Sequence, residues 1–240
     1  MSTTRDLRFR GKVLVLRRCT TIAVGLAVIG CGPTKRPEPD TTAVPLQESP
    51  GALASRHECQ ASLDAARSAL VRQDADACLA NLARAATFFR AEAESAPVDA
   101  RTDLRASAEE LETLVANIAR SRPRTPRDFD RVFTRANAAE AALHLGRARI
   151  AMIENDHVRA GEELLMATDH LERAVKDARL RGDSVVASAI ANTKSLASEM
   201  VRGMAAVPDE QRRVSDDIEA AIARIVAHVY VAPGPRFPPG

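Results

Sequence analysis

The chain is predicted to be all-α: an antiparallel helical bundle or a short array of helical hairpins, with about seven helices. Three observations predict this. From residue 54 onward apolar residues recur about every 3.6 positions, and no segment alternates with period two. Helix breakers and caps punctuate that pattern at Asp74, Pro97, Ser121–Pro126, Asn155-Asp156, Gly182-Asp183 and Pro208. The composition is rich in alanine, with no Trp, one Tyr and six Phe. Small side chains let helices approach closely but bury little area each, so many helices are needed to build a core.

Residues 1–30 read as a leader. Arg5, Arg8, Arg10, Lys12, Arg17 and Arg18 stand against one acid, Asp6, ahead of a short apolar run from Thr20 to Gly30. The run is too short for a spanning helix, which needs about 20 apolar residues. It ends in Val28-Ile29-Gly30-Cys31. This ending resembles the lipobox of bacterial lipoprotein signal peptides. The resemblance implies removal of residues 1–30, lipidation of Cys31, and a membrane-anchored protein of the cell envelope. Gly32 in place of Asp after the cysteine points to the outer membrane facing the periplasm.

Residues 31–53 form the next segment, with Pro33, Pro37, Pro39, Pro45 and Pro50 among small and polar residues. It is expected to be an extended, disordered spacer. A flexible chain of this length spans roughly 25 Å r.m.s.. Loss of the leader removes six of the 34 Lys/Arg and one of the 32 Asp/Glu. The formal charge then moves from +2 to −3, so the mature chain has no global pull toward polyanions.

The helical domain is placed at 54–232. Helix one, about 54–72, carries Cys59, Leu63, Ala66 and Leu70 on one stripe. Asp74 caps helix two, about 75–95, with Cys78, Leu82, Ala85 and Phe89. Pro97 separates helix three, about 98–120, with Leu104, Ala108, Leu111, Val115 and Ile118. Helix four, about 127–155, shows Val132, Ala136, Ala139, Leu143 and Ile150. Helix five, about 157–181, shows Ala160, Leu164, Ala167, Leu171 and Ala174. Helix six, 184–206, shows Val186, Ile190, Thr193, Ala197, Met200 and Met204. Helix seven, from Pro208 to about 230, shows Val214, Ile218, Ala221, Ile225 and Val229. Residues 233–240, rich in Pro and Gly, are expected to be a loose tail.

The stripes repeat at an offset of 82 residues. Leu63, Ala66, Arg67, Ala69, Asp74, Leu82 and Ala85 recur as Leu145, Ala148, Arg149, Ala151, Asp156, Leu164 and Ala167. Leu104, Leu114 and Ile118 fall on Val186, Leu196 and Met200. A helical hairpin plus a third helix is thus used twice. The hairpin, with its small-residue stripe and its turn at Asp, resembles tetratricopeptide-type helix pairs. The family's large aromatic positions and 34-residue period are missing, so the resemblance carries architecture only.

Several groups of residues are candidates for chemistry. With a hairpin turning at Asp74, Cys59 and Cys78 lie eleven residues apart along the axis, about 16 Å. That is beyond the roughly 7 Å a disulfide allows, so both are expected to be buried free thiols. Glu140, His144, Glu163, Asp169 and His170 make the one His/acid cluster. His144, His170 and Glu140 are its metal-ligand candidates, but both histidines flank the apolar stripe and are expected to be solvated or hydrogen-bonded at the surface. Arg120, Arg122, Arg124, Arg127, Arg131 and Arg135 form a basic run with Asp128 and Asp130 inside it. Outside the cytoplasm its partners would be anionic head groups, a cell-wall polymer, or the acids Glu92, Glu94, Asp99 and Asp103, and not nucleic acid.

No Ser/His/Asp set, Gly-rich phosphate loop or Cys-x-x-Cys is present. The expected function is therefore a non-enzymatic, lipid-anchored module that needs no cofactor and binds another envelope protein or scaffolds a complex. The alternative is a metal-binding or metal-responsive helical bundle in the periplasm.

Overall fold

The computed structural model describes residues 50–120 and 126–231, with side chains over 58–120 and 127–230. The leader, Cys31, most of the Pro-rich spacer, Arg122, Arg124 and the tail 233–240 lie outside the described residues. Seven helices make up the described part: α1 Pro50–Val71, α2 Ala75–Ser95, α3 Val98–Ala119, α4 Pro126–Ile153, α5 His157–Asp177, α6 Ser184–Val201 and α7 Pro208–Val231. No strand occurs among the described residues. The all-α reading holds.

Boundaries shift where caps act. α1 starts at Pro50, four residues before the expected start, because proline is well placed in a first helical turn. α5 stops at Asp177, since Arg179 turns into the left-handed region at φ 60°. α6 stops at Val201. There Gly203, at φ 82°, lets its own N–H bond Met200 O and the Met204 N–H bond Glu199 O. Met204, expected on the α6 stripe, is therefore past the helix end and exposed.

The 82-residue repeat is structural. Both hairpin turns use one set of hydrogen bonds. In the first, Gln73 N bonds Leu70 O, Asp74 N bonds Ala69 O, and the Asp74 carboxylate accepts from Ala77 N. In the second, Asn155 N bonds Met152 O, Asp156 N bonds Ala151 O, and the Asp156 carboxylate accepts from Arg159 N. The left-handed residues match as well: Gln73 at φ 58° and Asn155 at φ 59°.

The core is divided the same way. One cluster runs from Cys59 to Leu143 and draws on α1, α2, α3 and the first half of α4. The other runs from Ala141 to Ile225 and draws on the second half of α4, α5, α6 and α7. Their ends are 82 residues apart, and Val132, Ala136, Ala139 and Leu143 recur as Val214, Ile218, Ala221 and Ile225. Each unit is therefore a four-helix assembly, and α4 serves in both. It closes the first with Val132, Ala136, Ala139 and Leu143, then opens the second with Ala141, Leu145, Ala148 and Ala151. This change of face leaves Ile150, expected in the core, at the surface.

Cys59 and Cys78 are both buried and both free, as the hairpin register requires.

Candidate functional site: a buried Glu–His–His cluster on α4 and α5

Polar side chains are buried near the junction of the two cores. Glu140 and His144 lie one turn apart on α4, while Glu163 and His170 come from α5, which packs antiparallel beside it. Their exposures are 4% and 0%, 3% and 9%. The expectation that the histidines lie at the surface is thus wrong, although both are hydrogen-bonded. It assumed that the α4–α5 hairpin has one buried face. Its other flank is covered by α1, which reaches α5 through Arg67–Asp177 at 2.7 Å and Asp64–Arg173 at 3.7 Å. From α1, too, the Cys59 thiol hydrogen-bonds Glu140. Asp169, the remaining acid of the expected cluster, points outward and meets Lys194 at 3.6 Å.

His144 Nδ1 is 2.6 Å from Glu163 Oε2, and its Nε2 is 4.0 Å from Glu140 Oε2. The two imidazoles stack, with centroids 5.3 Å apart and planes 14° from parallel. His170 Nδ1 lies 3.3 Å from Asn137 Oδ1, while Asn137 Nδ2 donates to Phe133 O at 3.0 Å and reaches Asp177 Oδ2 at 3.4 Å. Arg67 completes this relay by donating to Asp177 and lying over the Phe133 ring, 4.8 Å from its centroid. One ligand atom from each of Glu140, His144 and His170 lies within 4.8 Å of the others.

Burial sets the protonation of the outer members. It lowers the His170 pKa to about 3, helped by His144 and Arg173, so His170 is a neutral imidazole. Burial also pushes the Cys59 thiol well up, with Glu140 adding to the effect, so Cys59 stays an S–H donor. Asp177 is raised by burial and held back by Arg67.

The described residues of the basic run do not form one surface. Arg135 is half-buried and pairs with Glu110 of α3 at 2.9 Å and with the Tyr230 hydroxyl of α7 at 2.7 Å. Tyr230 in turn donates to Glu110, and Arg131 lies over its ring. Arg120, Arg127 and Arg131 are exposed. Of the four acids expected to meet the run, two are engaged elsewhere, Glu92 with Arg147 at 2.6 Å and Glu94 with Arg105 at 3.5 Å, while Asp99 and Asp103 line a concavity that Arg135 also lines. This concavity of about 300 Å³ lies between α3, α4 and α7, floored by Ala138, Ala142 and Leu145 and rimmed by Asp103, Arg149 and Glu219.

No protein-family model matches the chain, and no curated protein and no solved structure matches it. Among the described residues no helix is long and apolar enough to cross a membrane.

Proposed function

We propose that this chain is a lipid-anchored protein of the bacterial cell envelope whose helical domain is a non-enzymatic module for binding another envelope protein. The observation that carries the reading is Val28-Ile29-Gly30-Cys31 at the end of a short apolar run behind six basic residues. The Pro-rich segment that follows suits a spacer between membrane and domain. The two shared-helix bundles suit a rigid scaffold, since each helix is tied to its neighbours by apolar packing and ion pairs.

Expression in a bacterial host followed by detergent phase partitioning tests the anchor. The wild type is expected in the detergent phase and Cys31→Ser in the aqueous phase; equal partitioning would sink the lipoprotein reading. Cross-linking in intact envelopes tests the partner, and one reproducible heterologous adduct is expected.

A second reading is favoured by one specific observation, the convergence of Glu140, His144 and His170 away from water. In it the tethered domain is a metal-binding protein.

A further inference from the structure

We propose that Glu140, His144 and His170 ligate one divalent transition metal of the zinc class, and that Glu163 and Asn137 hold these ligands in place. The inference deepens the metal-binding reading, on which it rests, and is independent of the lipid anchor.

The internal repeat supplies the first argument. Subtracting 82 residues converts Glu140, His144, Glu163 and His170 into Glu58, Ser62, Asn81 and Phe88. Glu58 is exposed, the Ser62 hydroxyl donates to Glu58 O at 2.7 Å, and Asn81 donates to Ala77 O at 2.7 Å. The same hairpin therefore folds without an ionisable cluster, and the scaffold does not require one. Burying four ionisable groups costs stability unless their charges are balanced.

Geometry is the second argument. The two imidazoles stack with centroids 5.3 Å apart, and one donor atom from each, together with one from Glu140, lies within 4.8 Å of the others, away from water.

Orientation is the third argument. Asn137 Nδ2 is committed to the Phe133 carbonyl, so Asn137 Oδ1 faces His170 as an acceptor and the proton of His170 sits on Nδ1. Glu163 fixes the His144 proton on Nδ1 in the same way. Ligation through Nε2 of each ring would then leave its Nδ1–H on the outer carboxylate or amide partner that metal-bound histidines usually carry. Two imidazoles and one carboxylate form a borderline donor set suited to zinc, cobalt or nickel. A tetrahedral ion with bonds of about 2.0–2.1 Å sets its donors roughly 3.4 Å apart. The ligand atoms, all within 4.8 Å of one another, would draw together around it.

The test uses the full chain purified in detergent, stripped with a chelator and titrated with Zn(II) and with Co(II). The expected result is one ion per chain, visible Co(II) bands of a low-coordinate nitrogen/oxygen site without a thiolate charge-transfer band, and a higher Tm with zinc. Glu140→Gln keeps shape and removes a ligand charge, so it decides the case if His144→Ala fails to fold. It is expected to weaken zinc by more than about 100-fold, and Glu163→Gln by about 10–100-fold, the usual effect of losing an outer partner. Cys59→Ser should bind as wild type. A stripped wild type that binds no zinc or cobalt overturns both the site and the metal-binding reading. Wild-type affinity in folded Glu140→Gln and His170→Asn overturns this site alone and leaves metal binding to other residues. A thiolate band lost in Cys59→Ser overturns the ligand assignment.

Discussion

Gly161 sits where α6 lies close against α5. A Cβ built there would lie 2.7 Å from the Ala197 carbonyl oxygen and 2.9 Å from both Met200 Cβ and the Val201 nitrogen. Two of these three atoms are backbone and cannot rotate away, so the helices would have to separate. Alanine gains about 1 kcal/mol over glycine in helix propensity, but overpacking of this kind costs about 1–3 kcal/mol. Gly161→Ala is therefore expected to lower the melting temperature despite the better helix former, read by circular dichroism at 222 nm. Gly182→Ala is the control, because nothing lies within 4 Å of a Cβ there. A Gly161→Ala variant as stable as wild type would mean that α5 and α6 do not approach this closely.

At the scale of elements, the two hairpin turns share hydrogen bonds but not sequence. Asn tolerates the left-handed region better than most residues, and Gln has no such advantage. Gln73→Gly should therefore raise stability by a few tenths to about 1 kcal/mol, while Asn155→Gly should change it little. Chemical denaturation of both variants checks this, and equal effects would contradict it. The turns were legible in the sequence because Asp74 and Asp156 announce their own helices. The site was not legible in the same way. A stripe argument assigns one face of each helix to the core, and His144 and His170 lie off that face. They are buried because α1 covers a second face of the α4–α5 hairpin, a tertiary fact that helix periodicity does not encode. The signal that could have found them is the repeat itself. At offset 82 most core positions stay small and apolar, yet Ser62 and Phe88 give way to His144 and His170. The same comparison extended to Val132 and Val214, or to Pro126 and Pro208, would have shown that α4 and α7 play one role.

At the scale of the molecule, the shared helix decides how the two cores unfold. Leu143 belongs to the first core, and Ala141 and Leu145 to the second, within little more than one turn of α4. No linker separates the units, so fraying α4 in one unit removes a wall from the other. Leu82 and Leu164 are equivalent and fully buried. Truncating a buried leucine to alanine costs about 2–5 kcal/mol, a large share of the about 5–15 kcal/mol that holds a domain together. Both Leu82→Ala and Leu164→Ala are expected to shift a single cooperative transition to lower temperature. Hydrogen exchange adds a stricter check. In Leu82→Ala the slowest amides of α6 and α7, helices that contribute nothing to the first core, should lose protection along with those of α2 and α3. If instead the melt splits in two, with α6 and α7 as protected as in wild type, α4 is a rigid strut between independent bundles and the two cores are not energetically coupled.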